Sequence, residues 1–167
     1  ADQKRYLEVI QASSRQLLSV LNDVLDFSKI ESGRLELDTV AIRPLQILEE
    51  SARLFEVAAS QKYLELRIDP DPSLEEPFPT DPVRFRQIMV NLVSNAVKYT
   101  DEGTVVLRGR SEWGKDGGKR LYIEVEDTGE GIGPELQPYL FVPYYQARPS
   151  TPRKLGGTGL GLAISKQ

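Results

Sequence analysis

The chain has 167 residues, 40% of them hydrophobic and 28% charged, with a net charge of −4. That length holds one domain, or a small domain with a helical arm, and the charge balance offers no basic footprint for nucleic acid. Cys and His are both absent, which excludes disulfides, thiolate metal sites, and any His base, ligand or phosphoacceptor among these residues.

No apolar run is long enough to span a bilayer and no signal-peptide pattern opens the chain, so the segment reads as soluble and cytoplasmic, without membrane contact. From residue 3 to about residue 31 the spacing predicts one long helix. Tyr6, Ile10, Leu17, Leu21 and Val24 mark an apolar stripe, Leu18 and Leu25 widen it, and Ser13-Ser14 interrupts it. A near-heptad stripe of that length is expected in a bundle or dimer arm. Ser32-Gly33 ends the helix, and Leu35, Leu37 and Val40 are expected to start a short strand. A second helix is expected from Pro44, with Ile47, Leu48, Ala52, Phe55 and Ala58 on its apolar face. Leu64 to Asp69 alternates like a strand, and Asp69 to Ser73 reads as a turn or loop.

The next helix is the most informative. Thr80 or Asp81 can cap it, and Pro82 stands where a first helical turn tolerates proline. Phe85, Ile88, Met89, Leu92, Val93 and Ala96 form its apolar face, while Arg84, Gln87, Asn91, Asn95 and Lys98 fall along another. Asn is a mediocre helix former, yet two of them stack four residues apart. One reading is a solvated polar face. The other is a set of neutral oxygen ligands for Mg2+, with Lys98 beside them for a phosphate.

Thr104 to Arg110 and Arg120 to Asp127 read as strands joined by the flexible stretch Gly114 to Gly118. Period two puts Asp127 on the same face as Leu121, Ile123 and Val125. A carboxylate ending an apolar row needs donors: either water at an open edge or the amino group of a ligand. Thr128-Gly129-Glu130-Gly131-Ile132 follows, and its glycines allow backbone to approach a bound group closely. Pro134 to Tyr139 is expected to form a short helix. Leu140 to Tyr145 is an aromatic cluster, and Gln146 to Leu155 a polar surface loop. Gly156-Gly157-Thr158-Gly159-Leu160-Gly161 then feeds a helix start, where free N–H groups and the helix dipole suit a polyphosphate, although a hinge is equally glycine-rich. The run is neither a dinucleotide fingerprint nor a Walker A loop.

Together these segments resemble the catalytic core of a sensor histidine kinase. Asn91 to Thr100 resembles the N box and Asp127-Thr128-Gly129-Glu130-Gly131-Ile132 the G1 box. Phe141-Val142-Pro143-Tyr144 resembles the F box, with Tyr144 for the commoner phenylalanine, and Gly156 to Gly161 the G2 box. Leu21 to Gly33 is similar to the end of the second dimerisation helix of hybrid kinases. The resemblance covers nearly the whole chain, with four boxes in the family's order and spacing.

The fold it implies is α+β, a two-layer α/β sandwich of the GHKL ATPase type preceded by a long helix of a dimerisation four-helix bundle. The implied division is residues 1–38 as second dimerisation helix and linker, and residues 39–167 as the ATP-binding domain. The implied cofactors are ATP and Mg2+. Asn95 would hold the metal, assisted by Asn91, and Lys98 would meet a phosphate, which makes Asn91 and Lys98 the implied catalytic residues. Tyr99 would pack near adenine and Asp127 would accept from its amino group. Gly129, Gly131 and Ile132 would border the base. Gly157, Thr158, Gly159, Leu160 and Gly161 would bind phosphate after a lid at Gln146 to Leu155, with Phe141 as an anchor for that lid or part of the core.

The implied reaction passes the ATP γ-phosphoryl group to a histidine, then to an aspartate of a response-regulator receiver domain. The implied partners are a second copy of the chain through the long helix, and that regulator. The resemblance departs in two places. The acceptor His and first dimerisation helix are absent and would precede Ala1, and the chain stops inside the helix after the last glycine box. The sequence therefore reads as a fragment whose incomplete sheet would leave an edge open. Two rivals remain: a GHKL ATPase, and a degenerate dimerising scaffold. The ATPase branches place a Glu base one turn before the metal Asn, where this chain has Asn91.

Overall fold

The computed structural model describes residues 2–146 and 158–166. They fall into two compact units, Leu37–Gln137 and a second made of the residues before Leu37 and after Gln137.

The first unit is two layers. Strands β2 (Glu65–Pro70), β4 (Thr104–Trp113) and β5 (Lys119–Asp127) form a sheet in the order β2-β4-β5. The β2–β4 pair is parallel and the β4–β5 pair antiparallel. Helices α2 (Pro44–Arg53) and α4 (Pro82–Tyr99) contribute most of the helical layer. Leu48, Met89, Val93, Val105 and Leu107 are all fully buried in one core. Removing a side chain of that size from water contributes about 1.5–3 kcal/mol, so these five are large contributors to the packing of the two layers. The other face of the sheet is charged: Arg108 pairs with Asp69 and Glu126 across three strands, and the Arg110 guanidinium stands 4.5 Å from the Tyr122 ring centre.

Three local expectations differ from what is observed. The second helix breaks after Arg53, and a short α3 (Glu56–Gln61) restarts it. Phe55, with φ −111° and ψ 0°, lies at the break. The period slips there, so Ala59 is buried instead of Ala58. The expected strand near Leu35 begins only at Val40, as β1 (Val40–Ile42). It pairs antiparallel with β3 (Phe78–Thr80), a strand too short and proline-containing to show a period. Residues 134–139 yield only a 3-10 turn, Gln137–Tyr139.

The second unit is built on α1 (Asp2–Glu31). It ends where the Ser32 hydroxyl donates to Ser28 O (2.8 Å) and the Arg34 N–H reaches Lys29 O (2.9 Å). Tyr6, Ile10, Leu17, Leu18 and Leu21 of its stripe are all more than half exposed. The short helix α5 (Gly161–Lys166) packs beside α1. Leu160 ahead of it is fully buried, and Tyr144 meets Phe27 edge-on at 6.2 Å.

Candidate functional site

Helix α4 carries the polar face, and both of its ends are closed by side chains. At the start, Asp81 Oδ1 accepts from the N–H groups of Val83 (2.9 Å) and Arg84 (3.1 Å). Its Oδ2 accepts from the Asp38 N–H at 3.1 Å. Burial raises the cost of the Asp81 charge, but these three donors and the Arg84 cation outweigh it, so its pKa lies below the ordinary carboxylate value. Asp81, not Thr80, is therefore the cap, and Pro82 follows as expected.

At the far end a helix leaves its last carbonyls unpaired. Ala96 O is met by the Thr100 N–H (3.1 Å) and hydroxyl (2.7 Å). Lys62 Nζ donates to Val97 O, Lys98 O and Thr100 O, each at 2.9 Å. Tyr99 O faces the glycine turn: a Cβ on Gly129 would lie 2.5 Å from it and 2.8 Å from Asp127 Oδ1. No side chain fits there, so the approach of backbone to backbone depends on glycine.

Asp127 stands at the end of β5, opposite Val105. Its Oδ1 accepts from the Gly129 N–H (2.9 Å) and lies 3.4 Å from the Thr100 hydroxyl oxygen, whose proton goes to Ala96 O. Among the described residues none donates to Oδ2. The carboxylate is exposed at its rim, with Leu121, Ile123 and Val125 half-buried on the preceding positions of the same face. Both solutions offered by the sequence, water or a ligand amino group, are open to Oδ2. The turn itself is pinned from behind, because the Thr128 hydroxyl accepts from the Thr104 N–H (3.0 Å) and donates to Glu102 O (3.2 Å).

On α4, Asn91, Asn95 and Lys98 are half-buried. One helical turn separates the two amides, about 6 Å along the axis. Among the described residues no group hydrogen-bonds the Asn95 amide, and no cluster of acids capable of holding a metal is present. Lys98 Nζ lies 4.9 Å from the Tyr99 ring centre, and that ring is half exposed. Neutral amide oxygens without a carboxylate cluster suit Mg2+ only when phosphates supply the charge, since Mg2+ keeps several waters and takes one or two protein oxygens. In that sense the donor set fits the ion.

Asn91, Asn95, Lys98, Tyr99, Asp127, Gly129, Gly131 and Ile132 thus belong to one compact unit, and contacts between Tyr99-Thr100 and Asp127-Gly129 join α4 to the turn. Thr158, Gly159, Leu160 and Gly161 belong to the other. There the Thr158 hydroxyl donates to Asp23 Oδ2 (3.0 Å), and the Tyr144 N–H donates to Gly159 O (3.0 Å). Gly159 has φ +69°, and a Cβ on it would come within 2.8 Å of Tyr144 backbone. Phe141 is exposed, with Lys166 Nζ 5.2 Å from its ring centre. Gly156, Gly157 and the expected lid beyond Gln146 lie outside the described residues.

The sequence reading missed Lys62, Thr100 and Thr128. Thr128 sits inside a recognised box and could have been found. Lys62 is an unremarkable lysine in sequence and acts on carbonyls 35 to 38 residues away.

Two helices on one face of a mixed sheet, with an amide-bearing helix ending beside a strand-end carboxylate, define a two-layer α/β sandwich of the GHKL type. Comparison with known proteins agrees. Residues 80–167, more than half of the chain, match the family model described as histidine kinase-, DNA gyrase B-, and HSP90-like ATPase, and the chain belongs to that family. Residues 1–33 match the His kinase A (phospho-acceptor) domain model. The chain is 43% identical over 164 residues to the sensor protein GacS of Pseudomonas syringae, covering 97% of this chain and 18% of GacS. It is 38% identical over 168 residues to the aerobic respiration control sensor protein ArcB of Escherichia coli, covering 100% of this chain and 21% of ArcB. Thus it spans about a fifth of these relatives. Among solved structures, full-length ShkA in complex with AMPPNP superposes with a TM-score of 0.78 at 32% identity, over 98% of this chain and 33% of that one. The histidine kinase AdeS of Acinetobacter baumannii shares the fold, with a TM-score of 0.72 at 24% identity, over 95% and 69% of the two chains.

Proposed function

We propose that this chain is the ATP-binding catalytic core of a sensor histidine kinase, with residues 39–167 as catalytic domain and residues 1–38 as second dimerisation helix and linker. The observation that carries the reading is Asp127: the Gly129 N–H fixes one oxygen, and the other is left for the adenine amino group. Tyr99 flanks that position, and Gly129, Gly131 and Ile132 border it. Asn95 and Asn91 would hold Mg2+, which neutralises phosphate charge when bound. Lys98 would meet a phosphate oxygen, and Thr158 to Gly161, with Gly157, would bind the phosphates through backbone N–H groups. The complex of ShkA with AMPPNP supports ATP as the ligand.

Positioning and charge neutralisation then account for catalysis. An imidazole nitrogen forms the new N–P bond as the bond from the γ-phosphorus to the β,γ-bridging oxygen breaks, and ADP leaves. The chain contains no His, so the imidazole comes from outside these residues. Relay to a receiver-domain aspartate follows, and a response regulator is bound by the structural neighbour ThkA. The exposed stripe of α1 is proposed to pair with a second copy. No helix among the described residues is long and apolar enough to cross a membrane; the use of ATP is what supports a cytoplasmic location for the segment. Asn91 argues against water as the acceptor, because an amide takes no proton at neutral pH.

Calorimetry of ATP binding with and without Mg2+, followed by transfer of label to a His-bearing helix hairpin, tests this. Mg2+-dependent binding and a labelled hairpin are expected. Steady phosphate release without label would assign the chain to the ATPases instead.

A further inference from the structure

Among the described residues, Lys62 is the one cation from a distant part of the chain that hydrogen-bonds the C-terminal carbonyls of α4. It leaves α3 at that helix's own terminus, where the Lys62 N–H donates to Ala59 O (3.0 Å). Tyr63 follows with φ +57°, which turns the chain and brings the Leu64 N–H back to the same carbonyl (3.0 Å). The side chain is two-thirds buried, and its Nζ uses all three donors on Val97 O, Lys98 O and Thr100 O. Asp101 Oδ1, almost fully exposed, is only 3.5 Å away and adds little. An ammonium at a helix C-terminus is favoured by the dipole as well as by hydrogen bonds, which are stronger for a charged donor.

The three carbonyls bracket Tyr99. Fixing Val97, Lys98 and Thr100 leaves Tyr99 O aimed at the Gly129 turn and the Thr100 hydroxyl near Asp127 Oδ1 (3.4 Å). Lys62 touches neither Asp127 nor the turn, yet it holds the wall against which both rest.

We infer that Lys62 is a positioning residue for the nucleotide site, setting the α4 terminus that orients Asp127 toward the base. This rests on the adenine-binding reading of Asp127. Without Lys62, the polar atoms of residues 97–100 turn to water and Asp127 loses a defined direction, so adenine should be read less well even in a folded chain.

The test uses the full chain with Lys62→Met, Lys62→Arg, Asp127→Ala and, as a stability control remote from the base, Asp81→Ala. ATP and purine riboside triphosphate, which lacks the adenine amino group, are titrated into each, and melting is followed in parallel. Lys62→Met is expected to bind ATP about tenfold more weakly and to lose preference for ATP over the deaminated nucleotide. Lys62→Arg, which keeps charge and donors, is expected to recover within about threefold of the parent. Asp81→Ala should melt earlier with the preference intact. A Lys62→Met chain that keeps the parent's affinity and preference, while Asp127→Ala loses both, would overturn the inference alone, as would a Lys62→Arg chain no better than Lys62→Met. A parent chain that binds no ATP would overturn the adenine reading and this inference with it.

Discussion

The two ends of α4 are closed by opposite devices. At its start an anion, Asp81, collects three backbone N–H groups, two of them from residues directly after it. At its finish a cation, Lys62, covers three backbone carbonyls from a separate helix. Both satisfy orphan groups and both suit the helix dipole. They differ in what lies next to them. The Asp81 end abuts β1 and β3, away from the polar face that bears Asn95 and Lys98. The Lys62 end touches, through Tyr99 and Thr100, the turn that carries Asp127. On the proposed reading, the anionic cap serves stability at one end and the cationic one ligand geometry at the other.

The comparison breaks most visibly at the carboxylate. Asp127→Ala and Asn95→Ala should each weaken ATP binding by at least about 100-fold, the loss expected when a charged hydrogen-bond acceptor or a metal ligand is removed. Far-UV circular dichroism should show both chains folded, and parent-like affinity in either would remove that residue from the site. Next comes the Lys62 end, where affinity and base preference should fall together, as described above.

Asp81→Ala should cost about 1–2 kcal/mol in urea unfolding, with ATP affinity within about twofold of the parent. Because the folded pKa of Asp81 is depressed, its stabilisation is complete above the unfolded value near 3.9 and is lost as pH falls through the lower folded value. The stability gap between parent and Asp81→Ala should therefore be constant above about pH 5 and narrow below about pH 4. A gap independent of pH would mean that Asp81 does not act through its charge. The smallest effect lies at Tyr63, which is 94% exposed and left-handed at φ +57°. Tyr63→Gly removes the steric cost and should stabilise by about 0.5 kcal/mol, leaving Lys62 and ATP affinity unchanged.

The start of α4 is legible in sequence because capping there is local: Asp81 and Pro82 sit directly before the residues they serve. The parity of Asp127 is legible for the same kind of reason, since a strand's period fixes the face. Lys62 is illegible because its partners are set by tertiary packing and a lysine carries no signal of its own. The break at Phe55 and the strand at Phe78–Thr80 escaped notice because neither runs long enough to show a period. Four short boxes, one of asparagines, two of glycines and one aromatic, weak one at a time, identified the family because their order and spacing agree.

The measurement to make first is the affinity of the full chain for ATP and for purine riboside triphosphate, by calorimetry, in the parent and in Asp127→Ala. The parent should prefer ATP by about tenfold or more, and Asp127→Ala should bind both nucleotides equally weakly. Equal affinity of the parent for the two nucleotides would contradict the role of Asp127 as the acceptor of the adenine amino group.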